Sequence, residues 1–221
     1  MQMFTTQDII AITISFLYVF VVIGLMLKLK QKYPTYSLRK VTHMSMGIWP
    51  LLWLLYETQL AAILVPAIVT ILLAGAPEKM RKIWSEGDEK HIGLVIYAFS
   101  FTWVTAFFWK TIPGAAAIFC LAFGDGAGGY FGKKYGKHVY HVPWVKPKTI
   151  EGSLAVFAVS VLMTIFAQLL YGNIEDPLSY LLGGLIIGTV SAIAEAISPK
   201  HSDNLFIPIA VIAVGGLIYI K

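Results

Sequence analysis

Apolar residues run along this chain in long blocks separated by short polar segments. Eight blocks stand out, at about residues 8–27, 42–57, 59–75, 91–109, 113–132, 152–171, 178–197 and 205–220. A helix needs roughly 20 apolar residues to cross the ~30 Å hydrocarbon core of a bilayer, and most of the blocks approach that length. The pattern predicts an all-α, polytopic membrane helix bundle with about eight transmembrane helices. The number is seven if the second block, short and interrupted by Pro50, does not count. A single transmembrane domain over 1–221 is expected, with no soluble domain. The polar connections fall at about 28–41, 76–90, 133–150 and 198–204.

Composition strengthens this reading. The 221 residues are 57% apolar and only 13% charged, against about a quarter charged in a soluble domain. Residues 1–7 carry no Lys or Arg and no A-x-A-like site follows. The first block is therefore expected to stay as a helix and not to be cleaved as a signal peptide. Cys120 is the only cysteine and lies inside an apolar block, which excludes a disulfide framework or a thiolate-ligated metal. No internal repeat or low-complexity segment is visible.

Charge then orients the bundle. Of the seventeen Lys and Arg residues, fifteen fall in the four polar connections, and Lys110 and Lys221 fall opposite. By the positive-inside rule these connections face the cytoplasm and both termini lie outside. The expected location is the plasma membrane of a prokaryote. The net charge of +5 describes a basic cytoplasmic face, suited to anionic headgroups or a phosphate substrate and not to nucleic acid.

The residues with chemistry to offer gather toward that same face. His43, His91, His138, His141 and His201 fall at or near it, and Asp125, Glu151, Glu195 and Asp203 lie at or just inside helix ends. A boundary carboxylate is costly to bury unpaired, so four of them suggest a metal or a cation-rich ligand. In "FGDGAGGYFGKKYG" (123–136), Gly124, Gly128, Gly132 and Gly136 recur every fourth residue and form one smooth helical stripe. Close helix packing explains such a stripe, but not Asp125 beside it or Lys133 and Lys134 after it. The string also satisfies G-x-G-x-x-G, yet it follows a membrane segment and not the strand of a βαβ unit, which excludes a dinucleotide fold; no P-loop sequence occurs. Glycines that admit a polyphosphate, a carboxylate for Mg²⁺ and lysines as point charges together make a phosphate site. In "PKTIEGSLAVF" (147–157), Pro147 keeps Lys148 extended, Thr149 can cap the next helix, and Glu151 falls in its first turn. A plain helix cap with a snorkelling lysine accounts for that segment equally well.

"GDGAGGYFGKKYG" followed by "KTIEGS" resembles the signature of the CTP-dependent lipid-alcohol kinases. These include dolichol, phytol and farnesol kinases and the yeast-type CTP-dependent diacylglycerol kinase, and are distantly similar to the phosphatidate cytidylyltransferases. "RKVTHMSMG" (39–47) resembles the early Arg-Lys…His segment of that family. "AEAISPKHSDNLFIPI" (194–209) resembles its late segment, in which a Glu precedes an Asp-Asn pair and a Pro. The resemblance implies a Mg²⁺-dependent membrane kinase acting on a polyprenol-like or phytol-like alcohol, or on diacylglycerol. Asp125 would be the principal metal or catalytic carboxylate. Gly124, Gly128, Lys133, Lys134, Lys148, Thr149 and Gly152 would receive the nucleotide phosphates. Glu151, Glu195 and Asp203 would join Asp125 around the metal, with His43 as a second catalytic group and Asn204 completing the late motif. The partners implied are a nucleoside triphosphate, CTP in preference, a membrane lipid alcohol and the bilayer.

Such a kinase needs mainly in-line positioning and neutralisation of charge on the transferring phosphate. Three other readings stay open on the residues. A cytidylyltransferase acting on a lipid phosphate would use similar parts. A membrane transporter would carry its charges near the midplane, and a scaffold would have no use for Asp125 among glycines.

Overall fold

The computed structural model describes residues 4–30, 32, 35–78, 80–81, 88–172, 176–199 and 202–219. Lys79, Lys82, Lys200, His201 and Lys221, which count in the charge and histidine patterns above, lie outside these residues. The helices gather into two compact units, residues 1–109 and 110–221.

Hydrocarbon offers no water to backbone N–H and C=O groups, so the apolar blocks satisfy them within helices. In the first unit these are α1 (Thr6–Leu29), α2 (Thr35–Met46), the single turn α3 (Trp49–Leu52), α4 (Gln59–Ala74) and α5 (Asp88–Phe108). The second unit holds α6 (Ile112–Phe119), a π-helical turn over Cys120–Gly124, α7 (Asp125–Tyr135), α8 (Ile150–Tyr171), α9 (Pro177–Ile197) and α10 (Asp203–Tyr219). Among the described residues five helical stretches are long and apolar enough to cross a membrane: α1, His91–Phe108 of α5, the continuous stretch Ile112–Tyr135, α8 and α9. Helices α4 and α10 are shorter but apolar. The chain is an all-α, polytopic membrane bundle.

The second apolar block, expected as one helix over 42–57, is not one. Helix α2 begins earlier, in the polar stretch at Thr35, and ends at Met46. A turn at Gly47–Ile48 leads into α3, with Pro50 in its first turn, and then a 3₁₀ turn over Trp53–Leu55. Proline lacks the N–H that a helix interior requires, so the chain restarts at Pro50 and does not run through it.

In the first unit, Asp8 ties α1 to α4. Its carboxylate accepts from Thr5 N (3.2 Å), Glu57 N (2.9 Å), Thr58 N (3.1 Å) and Thr58 Oγ1 (2.8 Å), and the residue is fully buried. Thr5 and Asp8 form a capping box for α1, while Thr58 caps α4. Further along, Tyr56 donates to Ser15 Oγ (2.8 Å), Tyr18 to the Ser45 carbonyl (2.6 Å) and Trp49 to Thr105 Oγ1 (3.0 Å).

In the second unit the Ile112–Tyr135 stretch is buried along most of its length. Small residues let its neighbours close in. A Cβ added at Gly188 would stand 2.5 Å from Val161 Cγ2 and one at Gly184 3.0 Å from Ile165 Cγ1, which fixes the approach of α9 to α8. Gly215 of α10 faces Pro113 of α6 in the same way. Polar side chains add cross-links in this otherwise apolar core: Ser160 of α8 donates to Ser191 of α9 at 3.0 Å, with both residues fully buried.

Candidate active site

The site is built where the Ile112–Tyr135 stretch leaves its apolar run. Thr111 caps α6, and seven apolar or glycine residues follow Ile112 before the helix widens into the π turn. There the amide of Asp125 reaches back to the carbonyl of Cys120, one residue further than in an α-helix. Such single π turns recur at functional positions, where they change the direction in which the next side chains point. The residue immediately after this one is Asp125, a buried carboxylate at 7% exposure.

The glycine stripe beyond Asp125 lies against α8. A Cβ added at Gly124 would stand 2.5 Å from Ser160 Oγ, and one at Gly128 2.4 Å from Val156 Cγ2. At Gly132 it would meet Thr149 Oγ1 at 2.9 Å, and Gly152 answers from α8 with Gly128 O at 3.1 Å and Gly132 Cα at 3.2 Å. Gly124, Gly128 and Gly152 are expected to receive phosphate; in the structure the face of each on which a Cβ would stand lies tight against the neighbouring helix.

After α7 the chain turns at Gly136 into a small antiparallel hairpin, β1 (Val139–Tyr140) with β2 (Lys148–Thr149), in the register Val139 to Thr149 and Tyr140 to Lys148. The sequence reads simply as a loop here, because two-residue strands carry no periodicity. Side chains fasten the hairpin to two helices. Tyr140 OH lies 2.7 Å from Ser153 Oγ of α8, and Trp144 Nε1 donates to the Ile197 carbonyl at the end of α9 (3.0 Å). Thr149 caps α8 by accepting from Gly152 N at 3.2 Å.

Two polar side-chain pairs join residues that sequence reasoning treats separately. Lys148 Nζ is bound to Glu195 Oε1 and also donates to the Glu195 carbonyl at 3.1 Å. The two side chains are 22% and 10% exposed, so the pair is largely withdrawn from water. At the start of α8, Glu151 Oε1 meets His138 Nδ1 at 2.7 Å, and both carboxylate oxygens accept from His138 N at 3.3 Å. His138, which remains exposed in the loop before α8, is thus the partner of Glu151.

The remaining candidates are dispersed. Lys133 and Lys134 are exposed on α7, where Lys134 donates to Tyr130 OH (3.0 Å) and lies over the Tyr130 and Tyr135 rings. Asp203 and the buried Asn204 open α10, with Asp203 Oδ1 accepting from Asn204 N at 2.9 Å. His43 belongs to the first unit. Its ring stacks on Tyr97 with centroids 3.9 Å apart, and its carbonyl accepts from Tyr97 OH at 2.6 Å.

Two plant proteins align with most of this chain. A rice (Oryza sativa subsp. japonica) protein named "Probable phytol kinase 2, chloroplastic" is 31% identical over 202 residues, covering 82% of this chain. The "Farnesol kinase, chloroplastic" of Arabidopsis thaliana is 30% identical over 204 residues, again covering 82%. The chain is similar to these two isoprenoid-alcohol kinases over most of its length. It spans 66% and 65% of the lengths of these two relatives. No protein-family model and no solved structure matches it.

For a lipid-alcohol kinase the resemblance implies Mg²⁺, and the carboxylates can be tested for it. Among the described residues no three His, Cys, Asp or Glu side chains converge closely enough to enclose an ion. Asp125, Glu151, Glu195 and Asp203 therefore do not form the joint metal cluster expected from the sequence. Glu151 and Glu195 are engaged by His138 and Lys148. What the donor set fits is an ion held by one or two carboxylates, with water and phosphate oxygens completing its octahedron.

Proposed function

We propose that this protein transfers the γ-phosphoryl group of a nucleoside triphosphate, CTP in preference, to the hydroxyl of a membrane lipid alcohol of the isoprenoid kind. The observation that carries the proposal is the kinship with a phytol kinase and a farnesol kinase over 82% of the chain. The site chemistry supports it: a buried carboxylate after a π turn, a lysine at a helix entry, and exposed lysines on the same helix as the carboxylate. In the transfer a bond forms from the alcohol oxygen to the γ-phosphorus, and the bond from that phosphorus to the β–γ bridging oxygen breaks. The alcohol proton leaves to Asp125 late in the step, and the nucleoside diphosphate departs with the electron pair.

Lys148, Lys133 and Lys134 serve as point charges for the phosphate oxygens, and Thr149 holds the entry of α8 so that Lys148 keeps its position. Asp125 would hold Mg²⁺ when it is bound, and the ion would neutralise charge on the transferring phosphate. An apolar alcohol would enter between helices from the bilayer, with its hydroxyl at the boundary. The basic loops would face the cytoplasm if the chain sits in a prokaryotic plasma membrane. The test is the purified protein with γ-labelled CTP or ATP against phytol, farnesol, a polyprenol and diacylglycerol, with products identified by mass spectrometry. Phosphorylated alcohol is expected, with CTP the better donor. A cytidylylated lipid, or no transfer to any alcohol, would overturn the proposal.

A further inference from the structure

Glu195 occupies a place where a carboxylate is costly. Its side chain is nine-tenths buried and lies in the last turn of α9, where the helix dipole disfavours an anion. Lys148 offsets both penalties by binding the carboxylate and the Glu195 carbonyl together. Yet a buried ion pair is commonly no more stabilising than apolar residues of the same volume. Stability alone therefore gives the pair no reason to exist. The start of α8 repeats the theme: Glu151 holds the His138 side chain and amide, and the amides of Ile150 and Gly152 are taken by the His138 carbonyl and Thr149 Oγ1. In both places the chain supplies its own partner to a group that a phosphate would otherwise seek.

We infer that Glu195 is an internal anion that competes with the triphosphate for Lys148, so that release of Glu195 sets the affinity of the site for polyphosphate. This rests on the reading of the site given under the proposed function. A phosphate oxygen and a carboxylate oxygen make the same demand on an ammonium group, a charged acceptor within hydrogen-bond reach. The Lys148 side chain keeps 22% of its surface exposed, so an incoming anion has access to it while the hairpin stays fastened by Tyr140 and Trp144. The protein competent to bind is the fraction in which the pair is open, and the measured dissociation constant is the intrinsic one divided by that fraction. Glu195 is then a positioning residue acting through Lys148. Its removal should strengthen binding, a sign opposite to that of a lost metal ligand or a lost structural contact.

The experiment uses the full chain in detergent, without lipid alcohol, and inorganic tripolyphosphate as the probe, by titration calorimetry at fixed ionic strength. Glu195→Gln should lower the dissociation constant by about 3- to 30-fold, the range expected if roughly 3–30% of the protein is open at rest. Lys148→Gln should raise it. The double variant should bind like Lys148→Gln alone, because the competitor matters only through the lysine. Unchanged or weaker binding by Glu195→Gln would overturn the inference. If that variant does not fold, the wild type supplies the second measurement. A carbodiimide should join Lys148 to Glu195 as an amide, detected as a linked peptide pair. Tripolyphosphate should suppress the link relative to sulfate at equal ionic strength, and an unaffected yield would overturn the inference. Wild type that binds tripolyphosphate but phosphorylates no alcohol defeats the kinase reading and leaves the competition measurable. Wild type that does not bind tripolyphosphate defeats the inference itself.

Discussion

Replacing Gly128 with alanine tests how the centre of the second unit is held. The added methyl would stand 2.4 Å from Val156 Cγ2 and 3.4 Å from the Gly152 carbonyl. Relaxed carbon–carbon contacts lie near 3.5–4.0 Å, so one side must retreat by about 1 Å. Val156 is fully buried in mid-helix, and a β-branched side chain there has one strongly preferred χ1, so it cannot swing aside cheaply. The helices α7 and α8 must part instead. Overpacking of this kind costs about 1–3 kcal/mol. Against it stands the helix propensity of alanine, better than glycine by about 0.8–1.0 kcal/mol. A net loss of up to about 2 kcal/mol is expected.

Gly216 of α10 provides the control, because a Cβ there meets nothing within 4 Å. Gly216→Ala should be neutral or slightly stabilising. The decisive comparison is a double-mutant cycle with Val156→Ala, which removes the methyl that Gly128→Ala would strike. The two changes should couple favourably by at least about 1 kcal/mol, measured by equilibrium unfolding in mixed micelles. A Gly128→Ala protein as stable as the Gly216→Ala control, or simple additivity with Val156→Ala, would refute the packing account and reopen that face of α7 to a ligand.

Three further outcomes are expected. Asp8→Asn should lower stability by about 2–3 kcal/mol, since an amide group would face donors that now bond a carboxylate; an unchanged melting temperature would remove Asp8 as the tie between α1 and α4. Asp125→Asn should cut phosphoryl transfer by several orders of magnitude while the melting temperature holds or rises, and a fully active variant would leave Asp125 without a catalytic role. With Cys120 replaced by alanine, a cysteine at position 137 should be shielded from impermeant thiol reagents in intact cells and one at position 176 labelled; the reverse would invert the proposed orientation.

The helices are legible in the sequence because hydrocarbon imposes one demand, an unbroken apolar run, and seven of the eight blocks fold as continuous apolar helical stretches, two of them, α4 and α10, shorter than the others. The exception is instructive. The block at 42–57 looks like a short span by hydropathy, but the polar residues from Thr35 start α2 early and Pro50 forces a restart. Nothing in composition marks the π turn, since Cys120–Gly124 are ordinary residues of an apolar helix and the extra residue per turn is a matter of backbone register. The glycine stripe is legible as a stripe. Which face it presents to which neighbour depends on Val156 and Ser160, residues with no signature of their own.

The chemistry divides along a similar line. Residue types foretell that charge is needed near Asp125 and Lys148, because both are costly near hydrocarbon. They cannot foretell who answers whom. Lys148 and Glu195 stand 47 positions apart, and their meeting requires the hairpin to fold back over the end of α9. Read singly, Lys148 invites a phosphate and Glu195 invites a metal ion. Read as a pair, each already satisfies the other, and a polyphosphate must displace a carboxylate before it can use the lysine. That changes what a substitution means. Loss of Glu195 should impair a site in which it is a ligand, but improve binding at a site in which it is the competitor.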